Sequence, residues 1–211
     1  CRLITLSYAY FLGTSFMNLV TIFGGSGFLG RYLVRQLASD GHFIRVITRH
    51  PKEALFLKVY GKVGQIQLFS GDIKDHQKLQ GYIRESDCVI NCVATFFETR
   101  SQSFNNLHVN AARNLAREAK KHGVNQFIHI SSLGASTTST SQLLRTKGAG
   151  EEVVLQHFPN ANIVRPSLIF GTEDTFFNRL AKLYSISPFI PVVGSETKFQ
   201  PVYVDDVASD I

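Results

Sequence analysis

The sequence predicts an α/β protein: a doubly wound parallel sheet with helices on both faces. Three observations carry this. Apolar, strand-like runs alternate with stretches of helical period from Asn18 to Ile169, and strands separated by helical crossovers require a parallel sheet. The first run, in VTIFGGSGFLG (Val20–Gly30), leads straight into Gly24-x-x-Gly27-x-x-Gly30, which is how a strand, a phosphate-binding turn and a crossover helix are written. The fourth run, Cys88–Ala94, is almost wholly apolar, as expected where both faces of a strand are covered. At 211 residues the chain is long enough for one sizeable core and too short for two comfortable domains.

Taken in order, residues 1–16, CRLITLSYAYFLGTSF, are expected to be an extension outside the fold. Met17, the only methionine, stands directly before the first strand. The extension reads either as translated upstream sequence or as the remains of a targeting segment, with an arginine, serines, an apolar middle and no acid. Phe28-Leu29 open the first helix; Leu29, Leu33 and Leu37 recur at helical spacing and Asp40-Gly41 close it. Phe43–Thr48 is the second strand, Gln65–Phe69 the third, followed by Gly71-Asp72, and Cys88–Ala94 the fourth. Phe104, Leu107, Ala111, Leu115 and Ala119 mark one side of a long helix that stops at Gly123. Gln126–Ser131 is the fifth strand, a polar stretch Ser136–Ser141 leads into a helix carrying Leu143, Lys147 and Val154, and Asn162–Ile169 is the sixth strand. Residues 17–170 therefore form the nucleotide-binding domain. After Phe170-Gly171 the alternation loosens: Phe176–Tyr184 reads as helix, Pro188–Val193 as irregular, and Pro201–Val204 as extended before Asp205-Asp206. Residues 171–211 read as the start of a C-terminal, substrate-side region that is incomplete, because the chain ends at Ile211 in the start of another helix. No internal repeat and no long low-complexity linker interrupts the pattern.

Composition narrows the function classes. No apolar run reaches the ~20 residues that span a bilayer. Cys1, Cys88 and Cys92 lack C-x-x-C spacing, and the latter two lie in a buried strand; they read as reduced core thiols. The histidines are scattered without ligand spacing, so no metal is expected. A net charge of +6 invites a nucleic-acid reading, but Lys and Arg are spread over several helices rather than gathered in one stripe with aromatics, which argues against nucleic acid. Basic helices equally suit an anionic membrane surface or an acidic partner protein.

The glycine turn gives each glycine a job: Gly24 lets the chain leave the strand sharply, Gly27 has no Cβ to block a pyrophosphate, and Gly30 lets the helix pack close to the sheet. Backbone N–H groups at Phe28, Leu29 and Gly30 then face the phosphates, with the positive end of the helix dipole behind them. At the end of the second strand an acid selects NAD, whereas an Arg accommodates the extra phosphate of NADP. Here stand Thr48-Arg49-His50 and no acid, so NADP(H) is favoured over NAD(H), with Lys52 adding charge nearby; otherwise Arg49 is a solvated loop arginine. Asp72 can accept from an adenine amino group or be an ordinary turn aspartate. Asn91-Cys92-Val93-Ala94 offers small residues, Ala94 among them, for the cofactor to lie against. Ser131 and Ser132 end the fifth strand and point into the same crevice, or cap a turn.

GGSGFLG, the SGD at 70–72, NCVA at 91–94, the run HVNAARNLAREAKKHGVNQFIHISS, the Lys147 helix and RPSLIFG at 165–171 together resemble the short-chain dehydrogenase/reductase superfamily, in its extended and atypical branch. The resemblance covers residues 18–211 and implies a Rossmann-type fold. Within that branch the chain is most similar to the group of 39-kDa accessory subunits of respiratory complex I and their bacterial relatives. Active members of the superfamily carry Tyr-x-x-x-Lys on the fifth helix and a Ser or Thr at the end of the fifth strand. The Lys binds the nicotinamide ribose and lowers the Tyr pKa, and the Tyr exchanges a proton with the substrate while hydride moves. Lys147 matches the Lys, but four residues earlier, on the same helical face, stands Leu143, which can neither donate nor accept a proton. Ser131, Ser132 and Lys147 are then remnant positions.

The resemblance thus implies a protein that binds NADP(H) without efficient catalysis, an accessory or assembly subunit of a complex I-type NADH dehydrogenase. Its partners are the other subunits, and its place is the matrix side of the mitochondrial inner membrane or the bacterial cytoplasm. An atypical NADPH-dependent reductase or nucleotide-sugar epimerase using another proton donor is the rival reading, and an NADP(H)-sensing regulator is the third.

Overall fold

The computed structural model describes residues 18–100, 102–186 and 198–211. The expectations for residues 1–16, Met17, Cys1 and Pro188–Val193 lie outside them. A six-stranded parallel sheet is built from β1 (Leu19–Phe23), β2 (Phe43–Thr48), β3 (Ile66–Ser70), β4 (Cys88–Asn91), β5 (Gln126–Ile130) and β6 (Asn162–Val164), in the order β3-β2-β1-β4-β5-β6. This is a doubly wound, Rossmann-type order, with the switch point between β1 and β4, where a crevice opens at the carboxyl ends of the strands. Register is fixed by alternation. Ile22 stands beside Val46 of β2 and Ile90 of β4, and all three pack into one core cluster, while Phe23, Ile47 and Val89 enter the other.

One face is covered by α1 (Phe28–Ser39), whose Leu29, Leu33, Val34 and Ala38 are buried. It ends at Asp40, and Gly41 at φ +89° turns the chain back toward β2. The other face is covered by α2 (Leu79–Ile83), α3 (Ala112–Lys121) and α4 (Gln142–His157), which contribute Leu79, Ile83, Ala112, Leu115, Ala116, Ala119 and Val154 to the second cluster. The small residues on α3 let it lie close to the sheet. The remaining elements are β7 (Ile169–Phe170), α5 (Phe176–Ile186), β8 (Val202–Tyr203) and α6 (Val204–Ser209).

Several elements differ from the expectations. β4 stops at Asn91 rather than Ala94, because the Asn91 side chain accepts from Val93 N at 3.1 Å and turns the chain out of the ladder. The expected sixth strand is divided: β6 ends at Val164, and Ile169 pairs instead with Val202 in a separate two-stranded ribbon. The long helix begins with a π-helical segment, Asn105–Ala111, before α3. Its wider turn presents the His108 carbonyl to α4 at Gly150, where a Cβ would stand 2.2 Å from it. A 3-10 turn, Leu55–Tyr60, and α2 carry too few turns to show a period. Val204, Val207 and Ala208 of α6 pack in the core cluster of α1.

Candidate functional site

At the carboxyl ends of β1 to β4 lies a cavity of about 440 Å³. The glycine turn forms its floor. Gly24, at φ +81°, leaves β1, and Gly27 donates to the Gly24 carbonyl at 3.0 Å before standing as N-cap of α1 with no side-chain cap. A Cβ on Gly27 would meet only Gly24 O, at 3.2 Å, whereas one on Gly30 would collide with Gly24 O at 2.3 Å. The turn therefore has an open side toward the cavity and a closed side toward the helix. Ser26 Oγ and Thr48 Oγ1, 3.2 Å apart, tie it to the end of β2.

Gly24, Gly27, Arg49, Asp72 and Ala94 all line this cavity, as the sequence led us to expect. Arg49 is exposed and makes no hydrogen bond or ion pair among the described residues. Asp72 lines the cavity, and its Oδ1 accepts from Lys74 N at 2.9 Å in an ordinary turn while its Oδ2 lies 3.5 Å from Lys74 Nζ. Phe28, Leu29 and Gly30 do not line it; Leu29 is buried in the core and Phe28 packs against it. Arg31, His50, Glu53, Phe56 and Gln102 line the cavity and were missed. Arg31 carried a signal: a cation in the first turn of a helix opposes the macrodipole unless an anion is held there.

Ser131, Ser132 and Lys147 are not in that cavity's wall; they gather just past the end of β5 and on α4. Lys147 is buried on α4 and donates to the Ser131 carbonyl at 3.1 Å. Burial pulls its ammonium down to about 8, with Glu151 acting in the opposite direction. The Oγ atoms of Ser131 and Ser132 are buried with no hydrogen-bond partner among the described residues, which costs free energy unless something supplies one. Leu143 lies in the first turn of α4, half-buried, one helical turn before Lys147.

Two histidines, scattered along the sequence, brace this cluster. Thr95 N donates to His108 Nε2 at 3.3 Å, so Nδ1 bears the proton and donates to Thr146 Oγ1 at 3.0 Å, which donates in turn to Leu143 O. Asn91, whose Oδ1 is engaged by Val93 N, offers its amide N–H to His129 Nδ1 at 3.1 Å. Burial first, and the Lys147 charge second, push both imidazoles down to about 4. Glu151, also buried, is gripped by the Arg165 guanidinium, with Nε 2.9 and 3.1 Å from its two oxygens. Burial likewise raises the thiols of Cys88 and Cys92 to about 12. Neither is in a disulfide; Cys88 is buried in the core, as expected, while Cys92 is half-buried and lines the cavity. Among the described residues no group of three or more His, Cys, Asp or Glu side chains is placed to hold a metal, and no helix is long and apolar enough to cross a membrane.

Residues 24–178 match the sequence profile of the NAD(P)H-binding family. The chain is 41% identical over 194 residues to the Arabidopsis thaliana protein named NADH dehydrogenase [ubiquinone] 1 alpha subcomplex subunit 9, mitochondrial, covering 90% of this chain and 48% of that one. It is 32% identical over 200 residues to a protein of Caulobacter vibrioides named ceramide reductase, covering 95% of this chain and 62% of that one. It therefore spans about half the length of the first of these relatives and less than two thirds of the second. Among solved structures, the Bordetella bronchiseptica enzyme WbmG in complex with NAD shares the fold, with a TM-score of 0.72 at 17% identity, covering 94% of this chain and 69% of that one.

Proposed function

We propose, because the chain belongs to the NAD(P)H-binding family, that it holds NADP(H) without efficient redox turnover and serves as an accessory or assembly subunit of a complex I-type NADH:quinone oxidoreductase. The observation that carries this reading is an intact nucleotide cavity beside a helix that has Lys147 but Leu143 one turn before it. The residues present fit a dinucleotide. The open side of Gly27 admits a pyrophosphate, Asp72 and Ala94 flank the adenosine side, and the two unpartnered serine hydroxyls with the Lys147 ammonium await polar groups on the other. Arg49, exposed at the end of β2, favours the phosphorylated cofactor. Bound nicotinamide would supply a hydride, but a leucine cannot pass the accompanying proton. Losing a positioned acid/base removes a factor of about 10²–10⁴.

The accessory role and a mitochondrial location are supported by the name of the Arabidopsis relative; the peripheral place we propose is the matrix side of the inner membrane. The same domain in a bacterial cytoplasm would look alike. The net charge of +6 is compatible with an anionic membrane surface nearby. The nucleotide would act by mass action, binding the folded state alone and so holding the subunit in shape for assembly. At one hundred times its dissociation constant, NADPH should add about 2.7 kcal/mol, which for a domain of this size raises the melting temperature by roughly 5–10 °C. A melting curve unmoved by saturating NADPH overturns the reading.

The reductase reading is favoured by one observation, the unpartnered Ser131 and Ser132 hydroxyls beside Lys147, and by the ceramide reductase name of the Caulobacter relative. On the accessory reading, NADPH oxidation stays at background with long-chain ketone and nucleotide-sugar substrates. Substrate-dependent oxidation that Lys147→Ala abolishes would establish the enzyme instead. Leu143→Tyr tests the pocket separately, since the new phenol would stand one turn from an ammonium able to lower its pKa.

A further inference from the structure

The cavity holds a second arginine whose placement is explained neither by α1 nor by the sheet. Arg31 lies in the first turn of α1, where its charge opposes the helix dipole, and its side chain lines the nucleotide cavity. The guanidinium carbon sits 4.8 Å over the ring of Phe56, which belongs to the connection after β2 and lines the same cavity. That stacking sets Arg31 between the glycine turn and Phe56, in the lining that Arg49 and His50 share. It also leaves the in-plane N–H edges of the guanidinium available. Of its five donors, Nε reaches Gly27 O at a long 3.4 Å, and Nη1 stands 3.6 Å from Glu173 Oε1, an ion pair beyond hydrogen-bond length. Glu173 is itself held from the other side, accepting from the Tyr32 hydroxyl at 2.5 Å. Its carboxylate is therefore anchored whether or not Arg31 remains.

We propose that Arg31 is, with Arg49, the recognition site for the 2′-phosphate of the adenosine ribose, and that Glu173 holds Arg31 in readiness and competes with that phosphate. The proposal rests on the reading of the cavity as a dinucleotide site and adds how that site discriminates between its two possible cofactors. A phosphate dianion offers Arg31 short, charge-assisted hydrogen bonds in place of a 3.6 Å contact with a half-exposed carboxylate. Because Glu173 stands in the connection between β7 and α5, phosphate binding also frees one contact by which α1 holds that connection, while Tyr32 keeps its own to Glu173.

The experiment is a binding comparison of NADPH with NADH, and of 2′,5′-ADP with ADP, on the wild-type chain, Arg31→Gln and Glu173→Gln, with the unliganded melting temperature confirming that each variant is folded. Arg31→Gln should lower affinity for the two 2′-phosphorylated ligands about tenfold and leave NADH and ADP unchanged. Glu173→Gln keeps an acceptor for Tyr32 and removes the competing charge, so it should raise NADPH affinity severalfold with NADH unchanged. If Arg31→Gln weakens all four ligands alike, Arg31 serves the pyrophosphate and the proposal falls. Equal wild-type affinity for NADPH and NADH sinks it too, while the nucleotide-holding function stands. No binding of any of the four ends both.

Discussion

Gly30→Ala should cost at least ~3 kcal/mol of stability and abolish nucleotide binding, whereas Gly27→Ala should leave a folded domain with a blunted response to NADPH. A Cβ on Gly30 would stand 2.3 Å from Gly24 O, 2.7 Å from Gly25 Cα and 2.9 Å from Gly25 C. All three are backbone atoms of the turn, so relief requires moving α1 or the turn itself. Intrinsic propensity acts in the opposite direction, since alanine in a helix gains up to ~1 kcal/mol over glycine. The steric collision outweighs it and sets the sign. Gly27 differs because its Cβ would meet only Gly24 O at 3.2 Å and otherwise point into the cavity. The loss of a good N-cap residue costs about 1 kcal/mol there, and the methyl occupies space a pyrophosphate needs. Melting curves with and without NADPH distinguish the two. A Gly30→Ala variant as stable as wild type would show that α1 does not press on the turn as described.

The same contrast shows what the sequence makes legible. The glycine spacing encodes a local collision, and alternation encodes which face each strand residue takes, so the sheet, the turn and the cavity wall at Arg49, Asp72 and Ala94 could be read directly. The boundary of β4 could not, because Cys92-Val93-Ala94 is as apolar as the strand and only the Asn91 side chain, accepting from Val93 N, ends it. Nor could the pairing of Ile169 with Val202, which depends on where a distant segment returns. The π-helical turn at Asn105–Ala111 differs from an α-helix by a fraction of a residue per turn over seven residues, too little for periodicity to register. His108 and His129 were read as scattered because their convergence exists only in space, through the π segment, β5 and α4 together. Arg31 stood beside the most legible motif in the chain. Its placement is not legible there, because nothing in the sequence shows that Phe56, in the connection after β2, lies beneath it.

Those two histidines predict a steep loss of stability in mild acid. Each is buried and neutral, held near pKa 4 in the folded protein against about 6.5 when unfolded. Above pH 6.5 both imidazoles are neutral in either state and their full contribution to stability is present. As the pH falls below 6.5 the unfolded chain takes up protons that the folded chain refuses, so stability declines with pH until about 4, where the folded imidazoles also protonate. At about 1.4 kcal/mol per pH unit, each site removes up to ~3 kcal/mol over this window. Their joint effect is comparable with the 5–15 kcal/mol that holds a typical domain together. Burial sets the direction and the Lys147 charge adds to it. Lys147 repels a second charge on either ring; Asn91 already donates to His129 Nδ1, and Thr95 N to His108 Nε2. Protonation would therefore set a new N–H against an existing donor in both cases. Glu151 attracts a charge on His129, but its carboxylate is already engaged by Arg165, which limits that compensation. Denaturant unfolding at a series of pH values should show a slope between pH 6.5 and 4 that His129→Gln reduces by about half, whatever that variant costs at neutral pH. A slope identical in the variant would mean that His129 is charged, or solvated, in the folded state. The braced cluster around Lys147 would then be looser than its hydrogen bonds require.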